Sequence, residues 1–126
     1  MNADAKLFSA LGAVCAFLAV ALGAFGAHAL RARLSPDMLA VYRTAVEYQF
    51  WHALGLVVVG ILVHLSPEVP MLRWSGWTML AGILLFSGSL YALALSEIRV
   101  LGAVTPIGGL CFLLAWALLT AGMIKS

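Results

Sequence analysis

The side chains that could bind, coordinate or move a proton are few. They are His28, Glu47, Tyr48, Gln49, His52, Ser87, Ser89, Tyr91 and Thr105. Tyr48 and His52 are four residues apart and Gln49 and His52 three apart, so on a helix they share a face with Gly55. Ser87 and Tyr91 are likewise four apart, and Thr105 aligns with Gly108 and Gly109. Neutral imidazoles at His28 and His52 are of the type that ligates metal or haem, while the hydroxyls and the amide suit a small polar head. Metal chemistry is disfavoured because no carboxylate or thiolate cluster stands at ligand spacing, so neither a metal nor a cofactor is expected. Nucleophilic catalysis is weaker still, since Ser87 or Ser89 would need a histidine held by an orienting group and none is evident.

The elements that must position these residues follow from composition. With 64% hydrophobic and 10% charged residues, the chain cannot cover itself with a polar surface in water. Its charges cluster and leave four uncharged stretches: 7–30, 48–67, 74–96 and 100–124. Each is about the length that crosses a hydrocarbon core of roughly 30 Å at 1.5 Å per residue. The stretch after Lys6 resembles a signal peptide, and Ala27-His28-Ala29 imitates a cleavage site. It is longer than the roughly 7–15 apolar residues of a cleavable core, so a retained helix is expected. Ser35-Pro36-Asp37 is a helix start: a cap, a first-turn proline and an acid near the positive end. The sequence therefore predicts an all-α fold, a four-helix transmembrane bundle running up-down-up-down, with helices over about 7–30, 36–65, 72–96 and 100–124. The second is extended by an interfacial amphipathic segment in which Met38, Leu39, Tyr42 and Val46 face apolar surroundings and Arg43 pairs with Glu47. Tyr42, Trp51, Trp74 and Trp77 read as interfacial belt residues.

Glycines at 12, 23, 26, 55, 88, 108 and 109 are expected to let helices approach closely. The small-residue stripe Gly12, Ala16, Gly23 and Ala27 is longer than one neighbour needs, which predicts a homo-oligomer or a larger membrane complex surrounded by membrane lipid. A net charge of +2 without a basic face excludes a nucleic-acid partner. Lys6, Arg73 and Lys125 fall on one side and Arg31, Arg33, Arg43 and Arg99 on the other, too even a division to orient the termini. Cys15 and Cys111, near the middle of their stretches, imply neither a disulfide nor a metal site.

Counting inward from the nearest charge, His28, His52, Ser89, Tyr91 and Thr105 all lie roughly 5–12 Å below one membrane face. The other half offers His64, and Thr78 and Thr120, which can bond to their own backbone. Taken singly, each polar residue is a satisfied hydrogen-bonding group; together they predict one shared site in one leaflet.

At these residues the chain resembles the domain-of-unknown-function 423 family, the YgdD-like small inner membrane proteins related to transmembrane protein 256 of animals. The blocks that carry the resemblance are Leu22-Gly23-Ala24-Phe25-Gly26-Ala27-His28, Val46-Glu47-Tyr48-Gln49-Phe50-Trp51-His52, Leu85-Phe86-Ser87-Gly88-Ser89-Leu90-Tyr91, Thr105-Pro106-Ile107-Gly108-Gly109 and Ala115-Trp116. The resemblance implies four membrane helices and an inner membrane or mitochondrial setting, and no reaction. The favoured reading is an accessory or scaffolding subunit in the cell inner membrane, with the residues leaning against an enzyme without deciding it. The alternative is a binding or permeation protein whose polar pocket takes a lipid headgroup or a quinone head.

Overall fold

The computed structural model describes residues 1–126, and the chain is all-helical. Four helices are long and apolar enough to cross a membrane: α1 (Ala3–Leu30), α2 (Pro36–Leu65), α3 (Pro70–Ser96) and α4 (Arg99–Lys125). Local chemistry fixes their ends. Asn2 caps α1 by accepting from the Ala5 amide at 2.8 Å, which is why the helix begins at Ala3 rather than Leu7. Ser35 accepts from the Met38 amide at 3.2 Å, with Pro36 in the first turn. Pro70 starts α3 in the same way, where its missing N–H costs nothing. Glu97 ends α3 in the left-handed conformation, at φ 59° and ψ 19°. The fourth span opens with a 3-10 turn over Arg99–Ala103, and α-helical geometry begins only at Thr105, beside Pro106.

Two spans widen locally into π-helical turns, α1 at Gly26–Leu30 and α3 at Ile83–Ser87. Each consecutive pair of helices packs together, and α2 is the most enclosed. Phe8 reaches from α1 to Trp77 on α3, with ring centroids 5.1 Å apart. The main apolar cluster, including Phe8, Leu56, Val59, Leu72, Met79 and Ala115, lies toward the end that holds both termini. Arg73 and Asp4 form an ion pair at 3.8 Å there, which places the N-terminus and the 66–73 segment on the same face.

Glycines let the backbones of α1 and α2 approach closely. A Cβ on Gly12 would meet the Ala53 carbonyl and the Val57 amide at 2.8 Å, and one on Gly60 would meet the Ser9 amide at 2.8 Å and the Ala5 carbonyl at 2.9 Å. Gly23 abuts Val46 and Gly26 abuts Tyr42, so the glycines of the α1 stripe face α2 of the same chain. Gly12 is buried in this contact, whereas Ala16 and Gly23 are half-buried and Ala27 is exposed. Gly88 is corrected as a packing position, because a Cβ there would meet nothing within 4 Å, and Gly109 has only Phe86 at 3.9 Å. The positions that sequence spacing missed are Gly60, Gly76, Gly82 and Gly122, which lie against Ser9, Phe8, Phe112 and Leu72.

Candidate functional site

The inward polar residues form three separate pairings. Gln49, buried in the middle of α2, joins three helices: its Nε2 donates to the Cys15 carbonyl of α1 at 2.8 Å, and its Oε1 accepts from the Tyr91 hydroxyl of α3 at 2.6 Å. Tyr42 lies edge-on to Tyr91 with centroids 5.5 Å apart, and its hydroxyl donates to the Leu22 carbonyl just before the widened turn of α1. Tyr42 is 3% exposed, which corrects its reading as a belt residue. Trp51, Trp74 and Trp77 do face outward.

The second pairing sits at the wide turn of α3. Ser87 donates to the Ala45 carbonyl of α2 at 2.8 Å. The Ser89 hydroxyl contacts both the Phe86 carbonyl, at 2.9 Å, and the Thr105 hydroxyl of α4, at 2.6 Å. Gly108 of α4 presses directly on the Phe86 backbone, so the wide turn and the glycine together let α3 and α4 meet.

The third centres on His52. Its Nδ1 lies 2.7 Å from the Tyr48 carbonyl, which can only accept, so Nδ1 carries the proton. Its Nε2 then holds the lone pair that accepts from the Trp116 indole N–H at 3.0 Å. The Phe112 ring stacks on the imidazole with centroids 3.5 Å apart and planes 9° apart. Both ring nitrogens are thus engaged in one neutral tautomer, and neither is free to ligate a metal. Histidine, cysteine and carboxylate side chains gather nowhere in a group of three able to hold an ion.

His28 and Glu47 do not join these groups, and both are exposed. His52 approaches Trp116 and not His28, so the single shared pocket expected from depth counting is corrected to separate pairings. The physical reason is that each polar side chain finds its nearest acceptor across one helix contact, often a backbone carbonyl. The expected Arg43–Glu47 ion pair is absent, the ion pair of the structure being Arg73–Asp4. Polarity also extends into the other half: Ser75, fully buried, donates to the Ala115 carbonyl at 2.8 Å, and the Ser9 hydroxyl is enclosed against Gly60 without a partner. Thr78 and Thr120 each bond a carbonyl one turn back, Trp74 and Trp116, at 2.9 Å.

Between α2 and α4 a groove of about 610 Å³ opens sideways, lined by Tyr48, His52, Phe86, Phe112, Leu113 and Trp116 among others. It is an aromatic slot whose one histidine is already bonded. Trp116 is the site residue missed as a partner; its signal was an indole N–H deep in an uncharged stretch, where it must find an acceptor.

The family profile described as "Protein of unknown function (DUF423)" matches residues 22–109. The chain belongs to this family. It is similar to the UPF0382 membrane protein SH2409 of Staphylococcus haemolyticus, 46% identical over 95% of this chain and 97% of that protein. It is also similar to the UPF0382 membrane protein YwdK of Bacillus subtilis, 46% identical over 95% and 98% of the two chains. The UPF0382 membrane protein SSP2132 of Staphylococcus saprophyticus is 47% identical over the same shares. No solved structure matches the chain. These relatives, named as membrane proteins, and the four spans make this a membrane protein. All nine polar residues singled out by the sequence, from His28 to Thr105, lie inside the matched segment, whereas Trp116 lies beyond it.

Proposed function

We propose that this DUF423 protein is an accessory or scaffolding subunit of the bacterial inner membrane. One observation carries this: the buried polar side chains Gln49, His52, Ser75, Ser87 and Ser89 are all bonded within the chain, and the one enclosed hydroxyl without a partner, Ser9, stands alone against Gly60, so no interior set of donors is aimed at a substrate. A bundle so tied resists deformation, and with minimal loops it can meet a partner only through its lipid-facing sides. Helical spans suit an inner membrane, since outer-membrane proteins are typically closed β-barrels. The test is extraction in lipid nanodiscs followed by native mass spectrometry. A reproducible larger membrane partner supports the subunit, and its absence across several gentle extractions overturns it.

A second reading, amphiphile binding, is favoured by the groove between α2 and α4. Its aromatic walls and the Tyr48 hydroxyl, which bonds no protein group, suit a flat ring such as a quinone head. A quinone retained in the same nanodiscs, and lost on Phe112→Ala, supports that reading.

A further inference from the structure

We propose a second site on the opposite side of α2, one that takes a lipophilic organic cation. Two adjoining hollows, of about 180 Å³ and 260 Å³, run along the outer seam of α1 and α2 and share Gly23, Val46 and Glu47. Gly23 and Gly26 of α1 make the seam shallow enough to leave this room. Arg43 lines its outer end, and Phe50 and Trp51 line its inner end. Glu47 stands between them with neither an ion pair nor a hydrogen bond to the protein.

Depth decides the ligand. Gly23, beside Glu47, is eight residues from Arg31, so Glu47 lies roughly 12 Å along the bundle from the segment joining α1 and α2, which corrects the count from sequence that took Glu47 itself as the marker of the membrane face. A carboxylate at that level is costly without a counter-charge, and ionisable groups within spans mark binding or transport paths by default. An ordinary phospholipid fits poorly, because its phosphate would lie outward at Arg43 and Glu47 would face the ester region without a cation. A single positive centre carried on an apolar body fits both features. The charge pairs with Glu47, and the body lies along Val20, Phe50 and Trp51, where aromatic rings also attract cations. Arg43, one turn outward, can extend its guanidinium to the headgroups and leave the carboxylate free. The site is independent of the scaffold reading and of the α2–α4 groove.

The experiment uses the full chain in nanodiscs of neutral lipid, with tetraphenylphosphonium as probe and tetraphenylborate, its anionic counterpart in shape, as control. Saturable binding of the cation is expected, with quenching of Trp51 fluorescence and no competition by the anion. Glu47→Gln should weaken it about tenfold or more, through loss of one charge pair in a partly desolvated groove, and Glu47→Asp should restore part of it. Because Glu47 bonds no protein group and its charge is costly where it stands, Glu47→Gln should unfold at a temperature no lower than the parent's, so lost binding is not lost fold. Uptake no greater than in empty nanodiscs, equal binding by parent and Glu47→Gln, or equal binding of the anion overturns the proposal.

Discussion

Replacing Gln49 by leucine should separate the worth of its hydrogen bonds from the worth of its volume. Leucine is close in size, so the change removes the donation to the Cys15 carbonyl and the acceptance from Tyr91 without opening a large cavity. Side-chain hydrogen bonds inside membranes average about 0.6 kcal/mol and reach about 1.7 kcal/mol. Stranding the Tyr91 hydroxyl adds to the loss, because an unsatisfied buried donor costs about 1–3 kcal/mol. The expected destabilisation is therefore about 1.5–3 kcal/mol. Tyr91→Phe removes the shared bond and strands the buried Gln49 Oε1, and should cost about 1–2 kcal/mol. In the double variant the shared bond is already gone and neither partner is stranded by the other. The sum of the singles should then exceed the double by about 0.5–1.5 kcal/mol. The Cys15 bond is absent from both Gln49→Leu and the double variant, so it cancels from this difference. The assay is reversible unfolding of all four proteins in mixed micelles, followed by tryptophan fluorescence. Strict additivity, within about 0.3 kcal/mol, would mean that Gln49 and Tyr91 do not act together and that the three-helix junction is wrongly drawn.

Three further perturbations test other parts of the bundle. His52→Ala removes the Trp116 bond and the Phe112 stack and should lower stability by about 2–4 kcal/mol, while His64→Ala, at an exposed position without a bond, should stay within about 0.5 kcal/mol; equal thermal shifts would refute the His52 assignment. Gly108→Ala drives a methyl into the Phe86 backbone and should destabilise by about 1–3 kcal/mol, whereas Gly88→Ala meets open space and should be neutral or gain up to about 1 kcal/mol from helix propensity; the reverse order in melting temperature would count against the α3–α4 contact. Cysteines placed at Arg33 and Ile98 should react with an impermeant reagent from one side of the membrane and a cysteine at Glu68 from the other; shared accessibility of 33 and 68 would break the four-span topology.

The spans were legible because they depend on bulk properties: length, apolarity, and proline or serine at the starts. Ser35-Pro36 placed the start of α2 without ambiguity, whereas α1 gained its extra turn from an Asn2 cap that hydropathy does not register. The polar residues were legible as a set and not as pairs. Ser87, Ser75 and Gln49 all donate to backbone carbonyls on neighbouring helices, at Ala45, Ala115 and Cys15. Every residue carries a carbonyl, so nothing in residue type marks the acceptor. Helix rotation, which decides which carbonyl is reached, is set by packing at glycines such as Gly12 and Gly60, and only the assembled helices reveal it.

The wide turn of α3 explains why Ser87-Gly88-Ser89 stands where it does. A π-helical turn over Ile83–Ser87 disturbs the regular backbone ladder, and in lipid a backbone group without a partner costs several kcal/mol. Ser89 answers part of this locally, its hydroxyl meeting the Phe86 carbonyl as well as Thr105, while Ser87 spends its own hydroxyl on α2. A Cβ on Gly88 between them would meet nothing within 4 Å, so its place is not owed to close packing; it is the residue between two hydroxyls that bind opposite neighbours. The widening turns Phe86 toward Tyr48 and Phe112, with ring centroids 4.5 Å and 5.4 Å away, and this forms one wall of the α2–α4 groove. The feature that costs the backbone its regularity therefore lies beside the larger of the two candidate binding surfaces, and Ser89 supplies one hydroxyl to the backbone of that turn.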